Sequence, residues 1–299
     1  MTKKRKIINL GIYYLVVALV RFLNLIPRKA GIGLMRWLSF PFYLLSIKQR
    51  RLTILHLTQV FGGEKSEREI KRMARNVFRH FATVGVDAVR MPLLLKEGID
   101  RYVTAENMHY LEEAYKKGRG MILLTGHFGN WELMGAWVAS RGYPLHVIGS
   151  SESNPWVNDY IVEHRRKAGY ITIARAKETR KIIKALQKGY PLGILMDQDT
   201  RAKGIFVDFF GKKANTPIGP ILLARRYNIP IVPMFMNIKE SLTYHVKCLE
   251  PIILSDTGNP EKDLYADVWK CNEIYEKVIR EHPEQWAWMH RRWRRQPDL

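Results

Sequence analysis

From Gly120 onward, short apolar runs alternate with segments of helical period, and glycines punctuate the joints. "GMILLTG" is a short, wholly apolar strand signal. "NWELMGAWVASRG" follows as a helix closed by Gly142. The same alternation continues through "PLHVIGS", "WVNDYIVEHRRKAG", "YITIA", "KETRKIIKALQKG", "PLGILMD", "PIGPILLARRYN" and "IPIVPMFMNI". Strands alternating with helices across short turns predict an α/β fold, with a mixed, mostly parallel central sheet flanked by helices. "IFVDFFG" reads as a further strand, "LTYHVKCLEPI" as an antiparallel edge strand, and "EKDLYADVWKCNEIYEKVIREHP" as a closing helix. Residues 1–95 read as helical throughout. Within them Ser66 and Glu69 form a capping box, and Ile70, Met73, Val77, Phe81 and Val84 recur at helical spacing. "ENMHYLEEAYKKG" is a helix ending at Gly118.

Sheets of this kind bind ligands beyond the carboxyl ends of their strands. His127 stands at such an end, in "LLTGHFGNWE". Gly126 and Gly129 permit a tight bend, Asn130 suits an N-cap, and Glu132 then falls in the first helical turn, where the macrodipole favours a carboxylate. This spacing predicts that His127 folds back on Glu132. A carboxylate so placed fixes the imidazole tautomer and stabilises the imidazolium, and the imidazole serves as general base for a hydroxyl or water. There is no G-x-S-x-G, and neither Cys248 nor Cys271 is near in sequence. A base without an enzyme nucleophile points to direct attack by a substrate hydroxyl on an activated acyl group. Taken alone, a His-x4-Glu is a frequent accident, and a turn histidine followed by a helix-start acid accounts for it as well.

The amino terminus carries a second constraint. "MTKKRK" precedes "IINLGIYYLVVALV", and no Asp or Glu occurs before Glu64. A basic leader followed by an apolar run, which just reaches spanning length if Arg21 and Asn24 lie near an interface, predicts a membrane anchor or interfacial helix; a buried core helix and a signal segment are the rival readings. "GLMRWLSFPFYLL" mixes aromatics with Arg36, as the headgroup layer favours. The organisation expected is therefore anchor helices over 1–46 and one α/β domain over 47–299. A net charge of +21 calls for an anionic partner: nucleic acid, acidic lipid or a phosphorylated substrate. The two cysteines have no metal-like spacing and read as reduced thiols.

"GHFGNWE" resembles the signature of the lipid A biosynthesis acyltransferases, the lauroyl and myristoyl transferases within the lysophospholipid/glycerolipid acyltransferase superfamily. "GILMDQD", "FFGKKANTPIGPILLAR" and "PEQWAWMHRRWRRQP" resemble that family in the same order, so the likeness covers nearly the whole chain. The resemblance implies transfer of a fatty acyl group from acyl carrier protein, or acyl-CoA, to a hydroxyl of a phosphorylated glycolipid such as a lipid A precursor. It places the chain at the cell inner membrane with its catalytic domain on the cytoplasmic side, and implies no metal or bound cofactor. By position in the motif, His127 is the base and Glu132 its partner. Asn130, Arg175, Asp197, Gln198 and Thr216 are the candidate substrate-binding residues, with Arg165 and Arg166 competing with Arg175 for the role of anion clamp. A lysophospholipid, an ornithine lipid or a mannosylated phosphoinositide is an alternative acceptor. Nucleic-acid binding would explain the charge and the Trp/Arg cluster "WAWMHRRWRR". It leaves the apolar leader and "GHFGNWE" without a purpose, and no zinc, homeodomain or RNP-like motif supports it.

Overall fold

The computed structural model describes residues 2–175, 178–200 and 202–297. Five helices come first: α1 (Lys3–Leu25), α2 (Arg28–Leu45), α3 (Ile47–Phe61), α4 (Glu67–Val89) and α5 (Met91–Glu97). Most of α1 is exposed, and it is long and apolar enough to cross a membrane. α2 and α3 meet at a 91° bend and together pass the same test. The expected capping box starts α4: Glu69 N–H donates to Ser66 Oγ, and Ser66 N–H to Glu69 Oε2. α2 is locked onto α4 by a buried ion pair, Arg28 Nε and Nη2 donating to the Asp87 carboxylate at 2.8 and 2.6 Å. Tyr244 OH donates to the same carboxylate at 2.6 Å. An unpartnered buried charge is costly, so these groups hold one another in place.

The remainder runs β1 (Val103–Glu106), α6 (His109–Lys116), β2 (Met121–Thr125), α7 (Trp131–Ser140), β3 (His146–Gly149), α8 (Pro155–Lys167), β4 (Ile171–Ala174), α9 (Thr179–Gln187) and β5 (Pro191–Leu195). It continues with β6 (Gly204–Phe209), β7 (Lys212–Pro217), α10 (Gly219–Tyr227), β8 (Ile231–Ile238), β9 (Tyr244–Cys248) and α11 (Pro260–Glu281). Seven strands form one sheet in the order β1-β9-β8-β2-β5-β3-β4, antiparallel only between β8 and β9. The expected mixed, mostly parallel sheet is what forms. Two details differ: β9 lies one place inside the edge, because the short β1 pairs outside it, and β6 pairs with β7 in a separate hairpin.

β2 is buried along its full length at the sheet centre. Successive side chains of a strand point to opposite faces. Met121 and Leu123 accordingly pack with Leu133 and Trp137 of α7, while Ile122 and Leu124 pack with Ile221 of α10 and Tyr275 of α11. Helices on both faces leave only the strand ends open, and the carboxyl end of β2 is where the chain places its site.

Candidate active site

The parallel register of β2 and β5 sets the site. Thr125 pairs with Leu195, so the chains leave the sheet side by side and residues two further on, His127 and Asp197, meet. Asp197 Oδ1 lies 2.9 Å from His127 Nδ1, and the His127 main-chain N–H donates to Oδ2 at 2.8 Å. Trp286 Nε1 donates to Oδ2 at 2.8 Å. Tyr275 of α11 ties the two strand ends together, its hydroxyl donating to Thr125 O at 2.5 Å and accepting from Met196 N–H at 3.4 Å. Asp197 is fully buried. Burial alone would raise its carboxyl, but the His127 charge and hydrogen bonds, with Trp286, hold it down at about 2.

The turn between β2 and α7 favours glycine at two points. Gly126 lets Tyr275 and the Asp197 carboxyl approach; a Cβ there would lie 3.0 and 3.2 Å from them. Gly129 has φ +55, and its Cβ would fall 1.7 Å from Met236 O. Asn130 caps α7, its Oδ1 accepting from Leu133 N–H at 3.0 Å, while its Nδ2 donates to Val84 O and Tyr244 OH.

Glu132 is not the carboxylate on His127. Arg165 of α8 grips it through Nε and Nη2 at 2.9 and 2.5 Å, and Tyr170 OH donates to it at 2.7 Å. The predicted fold-back fails for a simple reason: the first turn of α7 directs Glu132 toward α8, and the imidazole already has Asp197. Burial pushes the Glu132 carboxyl up, but the Arg165 charge overrides it and leaves it below the usual carboxylate range. The Tyr170 hydroxyl is raised well above its ordinary value, by burial and then by Glu132.

His127 and Glu132 nevertheless line one cavity of about 360 Å3. Its apolar lining includes Leu123, Met134, Val138, Leu145, Val147 and Leu195. Its polar lining includes Arg165, Arg175, Gln198 and His290. Arg175 follows β4 directly and donates to Ser150 Oγ, just beyond β3, at 3.0 Å. Gln198 Nε2 is buried and makes no hydrogen bond. The Trp131 and His290 rings flank His127, with centroids 5.2 and 5.4 Å away. Both cysteines lie outside this cavity, buried, with burial pushing their thiols up to about 12. A carboxylate-backed imidazole beside an apolar slot and a cationic rim suits transfer of a greasy acyl group to an anionic acceptor.

The model of the family described as bacterial lipid A biosynthesis acyltransferase matches residues 1–295. The chain belongs to that family. It is an acyltransferase, and the family implies a lipid acceptor. It is 26% identical over 261 residues to a lipid A biosynthesis lauroyltransferase of Escherichia coli (strain K12), covering 85% of this chain and 82% of the relative. To lipid A biosynthesis acyltransferase 2 of Shigella flexneri it is 28% identical over 271 residues, 88% of this chain and 81% of the relative. A phosphatidylinositol mannoside acyltransferase of Mycolicibacterium smegmatis (strain ATCC 700084 / mc(2)155) matches at 24% over 152 residues, half of each chain.

Among the residues expected from the sequence, the cavity gathers His127, Glu132, Arg165, Arg175 and Gln198, with Asp197 directly behind His127. Three expected residues fall elsewhere. Asn130 is a buried cap, Thr216 is buried where Arg292 Nη2 donates to it at 2.7 Å, and Arg166 pairs with Glu163 on the exposed side of α8. The Trp/Arg cluster, residues 286–295, follows the 3₁₀ turn Pro283–Gln285 and forms irregular turns. Trp286, Trp288 and Arg292 are completely buried, so these residues pack rather than meet a membrane or nucleotides. Sequence reasoning missed the role of Tyr170 as a Glu132 partner and the closeness of His290 to His127; strand-end position and the histidine in "WMHRRW" were the available signals.

Proposed function

We propose that this acyltransferase moves a fatty acyl chain from an acyl carrier protein or coenzyme A thioester to a hydroxyl of a phosphorylated glycolipid, most directly a lipid A precursor. Asp197 on Nδ1 fixes the proton there and leaves Nε2 as the base. Nε2 takes the proton of the acceptor hydroxyl as its oxygen attacks the thioester carbon. The tetrahedral intermediate then collapses, the carbon–sulfur bond breaks, and the thiolate takes the proton back from the imidazolium that Asp197 stabilises. The unpaired Gln198 Nε2 and the Arg175 guanidinium are the donors for the developing oxyanion and the acceptor's anionic groups. Glu132 positions Arg165 and Tyr170 along the cavity wall.

Residues 1–46 serve as the membrane anchor and 47–299 as the acyltransferase body, on the cytoplasmic side of the inner membrane. The exposed apolar face of α1 supports this placement. The observation that carries the assignment is His127, backed by Asp197, in the lining of a largely apolar cavity in a chain of this family. A mannosylated phosphoinositide is the second acceptor, supported by the mycobacterial relative. Purified protein incubated with acyl thioester and each acceptor, with products resolved by mass spectrometry, tests both. Parent-level transfer by His127→Ala would refute the mechanism.

A further inference from the structure

A second recess, of about 300 Å3, lies between α2 and α4 and shares no lining residue with the catalytic cavity. Arg36, Arg75, Asn76 and Arg79 line it, with Trp37 and Phe40 also in its wall. Arg36 Nε donates to Thr83 Oγ1 at 2.8 Å, which steadies the guanidinium without neutralising it. Among the described residues none of the three arginines has a carboxylate partner. Three cations gathered in one recess repel one another, and an anion relieves that repulsion. An adjoining groove shares Arg36, Asn76 and Arg79 but adds Glu240 and Glu284, so the side open to an anion is the one toward Trp37 and Phe40.

Those two aromatics identify the anion's surroundings. Trp37 is 71% exposed and Phe40 52%, and the apolar Phe42 and Leu45 on the same helix are exposed as well. Arginine beside exposed tryptophan and phenylalanine is the composition of a bilayer headgroup layer, and free phosphate would give the aromatics nothing to do. We propose that this recess binds the phosphate of an anionic phospholipid of the bilayer on which the chain sits, with Trp37 and Phe40 in the boundary between headgroups and acyl chains. The site rests on the membrane-anchor assignment and is separate from the acceptor site.

The full chain, purified in detergent and titrated with phosphatidylglycerol in mixed micelles, tests it by native mass spectrometry. One saturable phosphatidylglycerol is expected, with phosphatidylcholine retained far less. Arg75→Gln/Arg79→Gln, both exposed and unpaired, is expected to weaken binding about ten-fold or more. Lys117→Gln/Arg119→Gln removes the same charge at the opposite end of β2 and should leave it unchanged. His127→Ala, the variant that tests acyl transfer, should bind as the parent does, so the two assignments fail separately. Equal binding by Arg75→Gln/Arg79→Gln, equal retention of phosphatidylcholine, or displacement by equimolar inorganic phosphate overturns the lipid site.

Discussion

Asp197 holds His127 twice, by the ring nitrogen and by the main-chain N–H, at 2.9 and 2.8 Å. One carboxylate thus fixes both the tautomer of the imidazole and the position of the turn that carries it. Asp197→Asn keeps the shape but lets an amide N–H face Nδ1, favouring the wrong tautomer. The expected loss in kcat is about 10²- to 10⁴-fold, measured by thiol release from the acyl donor. A variant that releases thiol at the parent's rate would remove Asp197 from the mechanism.

The same carboxyl makes stability depend on pH. Its folded value, about 2, lies below the ordinary 3.8. A depressed carboxyl contributes stability that is complete above the unfolded value and is lost as pH falls through the folded one, here from about 4 toward about 2. The size is on the order of 2 kcal/mol. The gap in Tm between the parent and Asp197→Asn is therefore expected to narrow across that window, as the parent's advantage disappears. A gap that stays constant would mean that His127 does not depress this group.

Glu132 separates two accounts of the motif. If it orients His127, a double-mutant cycle couples those two; the structure couples it to Arg165 instead. Glu132→Gln with Arg165→Met is expected to show an interaction energy of roughly 1–3 kcal/mol in urea unfolding, and Glu132→Gln with His127→Ala close to none. The reverse pattern would restore the direct pairing.

How much of this was legible follows from the range of each signal. The capping box at Ser66 and Glu69, the Asn130 cap and the buried run of β2 are local, and each forms as its neighbours dictate. The His127 partner lies 70 residues away, and only the register of β2 with β5 brings it home. Its signature was nonetheless present: His127 and Asp197 each stand two residues past the end of a strand. β1 and β7 escaped notice because a four-residue strand and a lysine-led one carry little apolar pattern. "WAWMHRRWRR" misled for another reason: its charge suggests a surface, whereas Arg292 is buried among Asn215 O, Thr216 and Asn272, and its guanidinium sits 4.7 Å from the Phe209 ring centre.

Gly129 offers a test of the turn without changing a polar side chain. Gly129→Ala forces a Cβ into Met236 O at a positive φ, and backbone strain of this kind costs about 1–3 kcal/mol before the clash is counted. A drop in Tm together with lost activity is expected. Gly118→Ala, also at positive φ but with open space around its Cβ, should lower Tm less and leave activity near the parent's. Equal effects on activity would show that the turn at Gly129 has no special part in holding His127.

The apolar wall can be tested through the length of the acyl chain it admits. Gly193 lies on β5 in the cavity lining, and a Cβ there would meet Val147 Cγ1 at 3.1 Å. Gly193→Ala must therefore either displace Val147, which itself lines the cavity, or fill space directly. One methylene of misfit in an apolar slot is worth about 1–3 kcal/mol, or roughly 10- to 200-fold in kcat/KM. Gly193→Ala is expected to shift donor preference toward chains shorter by about one or two carbons on that scale, with transfer of the shorter chain close to the parent's rate. Competition between thioesters of graded length, read by mass spectrometry of the acylated lipid, gives the preference directly. An unchanged distribution, with the protein folded, would mean that the acyl chain lies outside this cavity.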